Sequence, residues 1–497
     1  MDAARGVVFP RSDGASGAGP TGDPRRSTSS LGRAVVADAL RTVDPIGARA
    51  ASGETNWRRG YVAHFRRLVE AGLDTPDAAR NLAADGLESL HRRMRFVRHE
   101  GEEVGITEAC ATPAGAEGPL ETVSVPGGSS AEKEFSLPYK GERLRGDALD
   151  RRLDDWVARG VIEPSCAEAV RTVVANPDWL DLADRRVVVL GAGAEMGPAL
   201  SLLRWGADVI AVDLPRPGIW ARLFDATSRF GGRLHVPVRS GSTGELTDRA
   251  GADLLHDLPA VTEWLAGLDG SLVLGDYVYA DGATNVRVCM AVDVLTVELL
   301  ARRPETALAF LATPTDVFAV PAEAVEHSAA AYGRRTGVSR VRRPLRVLSA
   351  GRLLRRTYAP DADPGICDSL VPQQGPNYAL AKRLQRWRAT VARAAGTTVS
   401  LKVAPPTRTR SVVKNRALAA AYTGAHLFDV EVFEPATSNT LMAALLVHDL
   451  RAGQPVAEHP WQDEAFAAAH GGLWRAPYAP RSALGLAALM GLGGARG

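Results

Sequence analysis

Apolar residues fall into two rhythms along this chain, and the change comes near Arg186. Before it the spacing is helical: Trp57, Tyr61, Phe65 and Leu68 recur every three or four residues. Thr75-Pro76 reads as an N-cap followed by proline at the first helical position, opening a helix through Leu82, Leu87, Leu90 and Met94. Residues 34–100 are expected to be helical, with that apolar face packed on the body. Residues 101–146 are rich in Gly and Pro, with strand-like pieces at 121–125 and 135–138, and two more helices are expected around 147–159 and 164–175. After Arg186, short apolar runs alternate with helical stretches. Strands are expected at 187–190, 208–212, 234–238, 271–279, 307–312 and 398–404, with helices at 198–205, 286–300 and 378–394. This alternation predicts an α/β fold, a Rossmann-like doubly wound parallel sheet flanked by helices, behind a mainly helical N-terminal accessory region.

Four sections emerge from that pattern. Residues 1–32 are rich in Gly, Ser, Pro and Arg and lack an apolar h-region, so a disordered tail is expected rather than a secretory signal. Asp2, Asp13 and Asp23 count against an organelle transit peptide. The accessory region spans 33–180 and leaves two roles open, a cap on a site or an oligomer interface. The alternating domain spans 181–450, and 451–497 form a C-terminal extension. An insertion at about 321–377 interrupts the alternation. Within 334–356 stand nine Arg (334, 335, 340, 342, 343, 346, 352, 355 and 356) and no acid. It reads as a solvated or partner-facing segment, as a lid whose guanidinium groups bind a phosphate or carboxylate, or as a membrane or acidic-protein contact.

Composition narrows the function classes. At 497 residues the chain has room for two to four domains. A formal charge of +2 gives no global field for nucleic acid. Only five of the 59 basic residues are Lys (133, 140, 382, 402 and 414), so each Lys carries more information than each Arg. Four Cys (110, 166, 289 and 367) lie far apart with no C-x-x-C pair, which fits a reducing, cytoplasmic setting and argues against a zinc or other metal site. No apolar run reaches the roughly 18–20 residues of a membrane span.

The first stretch with chemistry is Val187-Val188-Val189-Leu190-Gly191-Ala192-Gly193-Ala194-Glu195-Met196-Gly197. It reads as a strand, a glycine turn and a helix start. Gly191 permits the turn, Gly193 gives backbone room, and Gly197 lets the helix approach the strand. The helix N-terminus is then expected to offer free N–H groups to a pyrophosphate. Asp213 ends the second strand about twenty residues on, where an acid accepts from ribose hydroxyls and repels a 2′-phosphate. That favours NAD over NADP, although Arg216 is close enough to blur the choice. Glu195 is repulsive in a pyrophosphate loop unless it points away or pairs with a cation. The same loop also suits an S-adenosylmethionine-dependent methyltransferase, or an α/β fold with no working dinucleotide site.

The second stretch is Tyr378-Ala379-Leu380-Ala381-Lys382, a phenol and an ammonium one helical turn apart. A phenol of pKa about 10 is a poor acid–base group at neutral pH, and a neighbouring cation favours its ionised form. A packed Tyr beside a solvated Lys on a surface helix is the plainer alternative.

In their order and spacing these motifs resemble the short-chain dehydrogenase/reductases, over about 187–450. Leu190 to Gly197 resembles that family's Thr-Gly-x-x-x-Gly-x-Gly loop, with Leu for Thr and Glu195 for the middle Gly. Tyr378 and Lys382 match its catalytic pair, and Pro405-Pro406-Thr407-Arg408-Thr409 is similar to its Pro-Gly-x-x-x-Thr segment. The resemblance implies an NAD(P)-dependent oxidoreductase acting on a carbonyl or alcohol small-molecule substrate. Tyr378 would exchange a proton with the substrate oxygen, and Lys382 would bind the nicotinamide ribose. Gly191, Gly193, Met196, Gly197, Asp213, Pro405 and Thr409 would line the cofactor. The family's substrate-orienting Ser would be Ser369, nearer Tyr378 in sequence, or Thr313 or Thr315 after the fifth strand. Its Asn has no clear match; Asp293 lies near where it should fall. A dinucleotide-binding protein without catalysis is the alternative within the same resemblance.

Overall fold

The computed structural model describes residues 5–11, 26–99, 101–110, 118–334 and 337–494. Its centre is one seven-stranded sheet: β1 (Leu120–Pro126), β2 (Arg185–Leu190), β3 (Asp208–Val212), β4 (Arg233–Arg239), β5 (Ser271–Asp276), β6 (Ala307–Ala312) and β7 (Val399–Val403). The spatial order is β7-β6-β5-β2-β3-β4-β1. β2 to β7 are all parallel, and β1 alone runs antiparallel, on β4. Counting from β2, the parallel strands stand in the order 3-2-1-4-5-6 of a doubly wound sheet. These strands read as continuous apolar runs because helices cover both faces; Val187 to Leu190 are all 0 % exposed.

Helices begin where their caps dictate. Thr75 accepts from the Ala78 N–H with Pro76 at the first position, and the helix runs Pro76–Arg93. Trp57, Tyr61, Phe65 and Leu68 are buried on one face of Trp57–Gly72. Helix Pro376–Ala394, which carries Tyr378 and Lys382, packs against both Pro76–Arg93 and Ala283–Arg302. The front of the chain is therefore a cover on the sheet's helical layer.

Two sectional boundaries come out differently. β1 comes from the front section, so the sheet is not contained within 181–450. Along β1 Leu120 is buried while Glu121, Thr122, Ser124 and Pro126 are exposed, as suits an edge strand open to solvent. The expected 1–32 tail is also built into the body where it is described. Gly6–Val8 pairs antiparallel with Arg95–Val97, Val7 and Phe9 are buried, and buried Arg26 donates to the Phe9 carbonyl and to Glu103. A helix begins at Thr28, capped by Ser27. Residues 1–4 and 12–25 lie outside the described residues.

The insertion holds a strand pair, Val317–Val320 with Gly365–Asp368, and two helices, Ala322–Gly333 and Gly337–Leu348. In the C-terminal part, helix Pro435–Ala452 is buried from Thr437 to Asp449 on every face. It carries Asp449, whose carboxylate meets the ammonium of Lys402 on β7 at 2.9 Å and accepts from Ser400 Oγ at 2.6 Å. Among the described residues no helix is long and apolar enough to cross a membrane.

Candidate functional site

The strand order reverses between β2 and β5, so a crevice opens at their carboxyl ends, where open α/β sheets bind ligands. Gly191 leaves β2 with φ +80°, and a Cβ there would come within 2.9 Å of the Tyr277 carbonyl oxygen. Only glycine fits this crossing of the loop after β2 with the segment after β5. Gly191 and Ala192 donate to the Val212 carbonyl, and Gly193 donates to Asp213 Oδ2 at 2.8 Å.

Beyond Gly193 the chain departs from the expected loop-to-helix step. The helix is Ala199–Arg204, less than two turns long and starting after Gly197-Pro198. Ala194 donates to the Gly191 carbonyl and Gly197 to that of Ala194, so tight turns consume N–H groups that a longer helix would have aimed outward. The N–H groups of Glu195 and Met196 make no hydrogen bond among the described residues. The N–H groups nearest the glycine turn that are left open are thus in the loop ahead of the helix. Met196 packs inward, its sulfur accepting from Ser438 Oγ at 3.8 Å.

Glu195 pairs with a cation. Its Oε1 lies 3.1 Å from Arg410 Nε, and its Oε2 accepts from the Arg410 backbone N–H at 2.8 Å. Arg410 opens the short helix Arg410–Lys414 directly after Thr409, so this ion pair joins the glycine loop to the segment after β7. In that segment Pro405 is buried, and its carbonyl accepts from Thr407 Oγ1. The Thr409 N–H donates to the Thr407 carbonyl, and the Thr409 carbonyl accepts from Val413. Asp213 is partly buried and gives both carboxylate oxygens to backbone N–H groups, of Gly193 and Leu214. Burial raises its pKa above the usual aspartate value, against those two bonds.

Tyr378 stands in the first turn of Pro376–Ala394, half-buried, with its ring edge-on to Tyr279 at 6.3 Å. Tyr279 lies three residues beyond β5 and donates to Asp281 at 2.9 Å. Tyr422, on Arg416–Gly424, is also close; its pKa is pushed up to about 12, by burial first and then by the charge Tyr378 would carry. One turn further in, Lys382 Nζ donates to the Leu311 carbonyl of β6 at 3.3 Å and to Gln385 Oε1 at 2.8 Å. Beside it Asp276, the last residue of β5, is buried, and burial lifts its carboxyl to about 6 against the pull of Lys382, Gln385 and the Val278 N–H. The helix thus brings a phenol and an ammonium to the carboxyl ends of β5 and β6.

The two candidate hydroxyls separate. Thr313 leaves the carboxyl end of β6, two residues from the carbonyl that Lys382 holds, and is half-buried. Its hydroxyl bonds Thr315 Oγ1 at 2.9 Å, which accepts from Gln374 Nε2 at 2.7 Å. Ser369 is fully buried, its hydroxyl 3.1 Å from Cys367 Sγ and its N–H on the Asp316 carbonyl. Closeness in sequence favours Ser369, but the strand Gly365–Asp368 carries it into the core, so Thr313 is the better-placed hydroxyl. Asp293 is likewise a corner of the core. Arg388 grips it through Nε at 2.6 Å and Nη2 at 2.9 Å, and His91 through Nε2 at 2.6 Å. Burial raises its pKa, yet Arg388 and His91 bring it down to about 2. It braces three helices, with Arg388 and His91 holding both of its oxygens.

Asp276, Tyr279, Gln385, Tyr422 and Arg410 were not picked out from the sequence. Gln385 alone had a local signal, three residues after Lys382 on the same helix face. Of the insertion's arginines, Arg342 and Arg356 turn to another aromatic ring: their guanidinium groups lie over Tyr332 at 4.0 and 4.7 Å.

Strand order and crevice define an α/β protein of Rossmann-like architecture. No family model matches the chain, and no curated protein sequence matches it. Among solved structures, one titled as the structure of an A1-type ketoreductase is similar over 55 % of this chain and 46 % of its own, at 15 % identity and a TM-score of 0.31. The chain spans about half the length of that structure, and the fold class rests on the strand order, not on this likeness.

Proposed function

We propose that the chain is an NAD(P)-dependent oxidoreductase of short-chain type, acting on a carbonyl or alcohol at the crevice. The observation that carries the reading is the position of Tyr378 and Lys382 at the carboxyl ends of β5 and β6, beside the strand reversal. The cofactor's donor set is met in part: the free N–H groups of Glu195 and Met196 suit a pyrophosphate, and Asp213 suits a ribose diol. Gly191, Gly193, Met196, Gly197 and Asp213 would hold the adenosine half, with Lys382, Pro405 and Thr409 toward the nicotinamide. The dinucleotide, when bound, supplies or accepts the hydride.

The remaining work falls to the chain. Tyr378 Oη carries no hydrogen bond among the described residues and is free to exchange a proton with a substrate oxygen. Lys382 places positive charge one turn away, and Thr313 orients the substrate oxygen. Tyr279 stands edge-on to the phenol at 6.3 Å. Asp213 favours NAD.

Turnover of an aldehyde and ketone panel with NADH and NADPH tests this directly. Tyr378→Phe should abolish turnover and leave nucleotide affinity within about twofold; unchanged turnover would refute it. A second reading, a dinucleotide-binding protein without catalysis, draws on the Glu195–Arg410 pair that straddles the loop. Nucleotide binding without turnover across the panel would select it. Tight calorimetric binding of S-adenosylmethionine and none of NAD would select a methyltransferase instead.

A further inference from the structure

We propose that the insertion, with the C-terminal helix, forms a docking surface for an anionic lipid bilayer. A small separate core holds this lobe together: Val338 of helix Gly337–Leu348 shares it with Leu354, Phe428, Tyr478, and Ala483 and Ala487 of helix Pro480–Gly494. The inner face of Gly337–Leu348 is fixed by its contacts. Val338 is buried, Arg342 donates to the Tyr332 carbonyl at 2.6 Å, and Arg346 donates to that of Leu354 at 3.3 Å. At about 3.6 residues per turn the opposite face must then present Arg340, Arg343 and Val347, with Leu348 at its margin. Val347 is 81 % and Leu348 85 % exposed.

The charge on these two helices is of one sign. Arg340 and Arg343 are exposed and make no ion pair among the described residues, and neither do Arg352 and Arg355 just beyond. No acid occurs from Arg334 to Arg356, and none in Pro480–Gly494, which exposes Leu489 and Leu492. Such a surface repels cations and complements anions, and its aliphatic side chains stand clear of the backbone between the charges. Protein interfaces centre on aromatic anchors seated in pockets. None of the exposed large apolar residues of these two helices is aromatic: they are Val341, Val347, Leu348, Leu489, Met490 and Leu492. Aliphatic prongs among guanidinium groups suit a bilayer, where the prongs enter the acyl boundary and the Arg stay with the headgroups. Each such cation raises partitioning roughly fivefold.

This surface is independent of the crevice, so its test stands apart from the oxidoreductase reading. The full chain is sedimented with phosphatidylcholine vesicles, with and without phosphatidylserine. Binding is expected only with phosphatidylserine and should fall in high salt. Arg340→Glu with Arg343→Glu should reduce it at least about tenfold, and so should Val347→Ser with Leu348→Ser, with circular dichroism unchanged. No binding to phosphatidylserine vesicles, equal binding by wild type and both variants, or capture by polyglutamate with no binding to vesicles would each overturn the proposal.

Discussion

Asp276 offers a sharp test of the crevice's electrostatics, because it is one group, deeply buried, with a clear sign. Burial lifts its carboxyl from 3.8 to about 6, so the folded state holds its proton over a window in which the unfolded chain has lost it. A raised acid pKa means that the native state binds more protons, and stability falls as pH rises through that window. A rise of about two units at about 1.36 kcal/mol each makes the ionised carboxylate cost about 3 kcal/mol above about pH 6, and nothing below about pH 4. Asp276→Asn keeps the shape and removes the charge. Urea melts of wild type and variant from about pH 4 to pH 8 should therefore diverge between about pH 4 and pH 6 and run parallel above, with the variant gaining about 3 kcal/mol relative to wild type by about pH 6. Two curves that stay parallel in pH would refute the argument, since the cost would then not belong to this group's ionisation.

Other perturbations have equally definite outcomes. Gly191→Ala should destabilise by about 1–3 kcal/mol, because φ +80° and the Tyr277 carbonyl leave no room for a Cβ; a neutral effect in thermal melts would contradict the crossing. Lys402→Met leaves buried Asp449 without its ammonium, with Ser400, Gln454 and His448 still beside it, and should cost up to about 3 kcal/mol, while Lys402→Met with Asp449→Leu should recover much of it in a double-mutant cycle. Thr313→Ala should lower kcat more than Ser369→Ala, which should act mainly on stability; the reverse order in steady-state kinetics would restore Ser369. Glu195→Gln should loosen the segment that begins at Arg410, read as faster amide exchange there and tighter nucleotide binding.

The sheet is largely legible in the sequence because each parallel strand is an isolated apolar run between turn residues. Asp208–Val212 and Ala307–Ala312 begin and end where the apolar pattern does. Helix Pro435–Ala452 is not legible, since a helix buried on every face has no polar side to set a period. β1 is strand-like in sequence, but nothing local says which sheet takes it. Within the site, Tyr378 and Lys382 can be read because one helical turn joins them. Asp276 cannot: a lone acid at a strand end has no pattern, and its character comes from burial by segments far away in sequence. Ser369 misleads for the converse reason, since it lies close to Tyr378 along the chain while the fold turns its hydroxyl into the core.

β1 has a further consequence, for the order of assembly. During synthesis Leu120–Pro126 emerges before β4, the strand it must pair with, and the pairing closes a loop of over a hundred residues, Leu120 meeting Arg239. Such a long-range pairing is slow to form before the intervening strands are in place, so β1 is expected to join late to a sheet that forms around β2. Until it arrives the outer edge of β4 is bare, open to any passing strand. A shortened chain starting at the glycine-loop domain would keep that edge exposed for good and would also strip Pro76–Arg93 from the helix that carries Tyr378, so self-association and a disturbed crevice would come together.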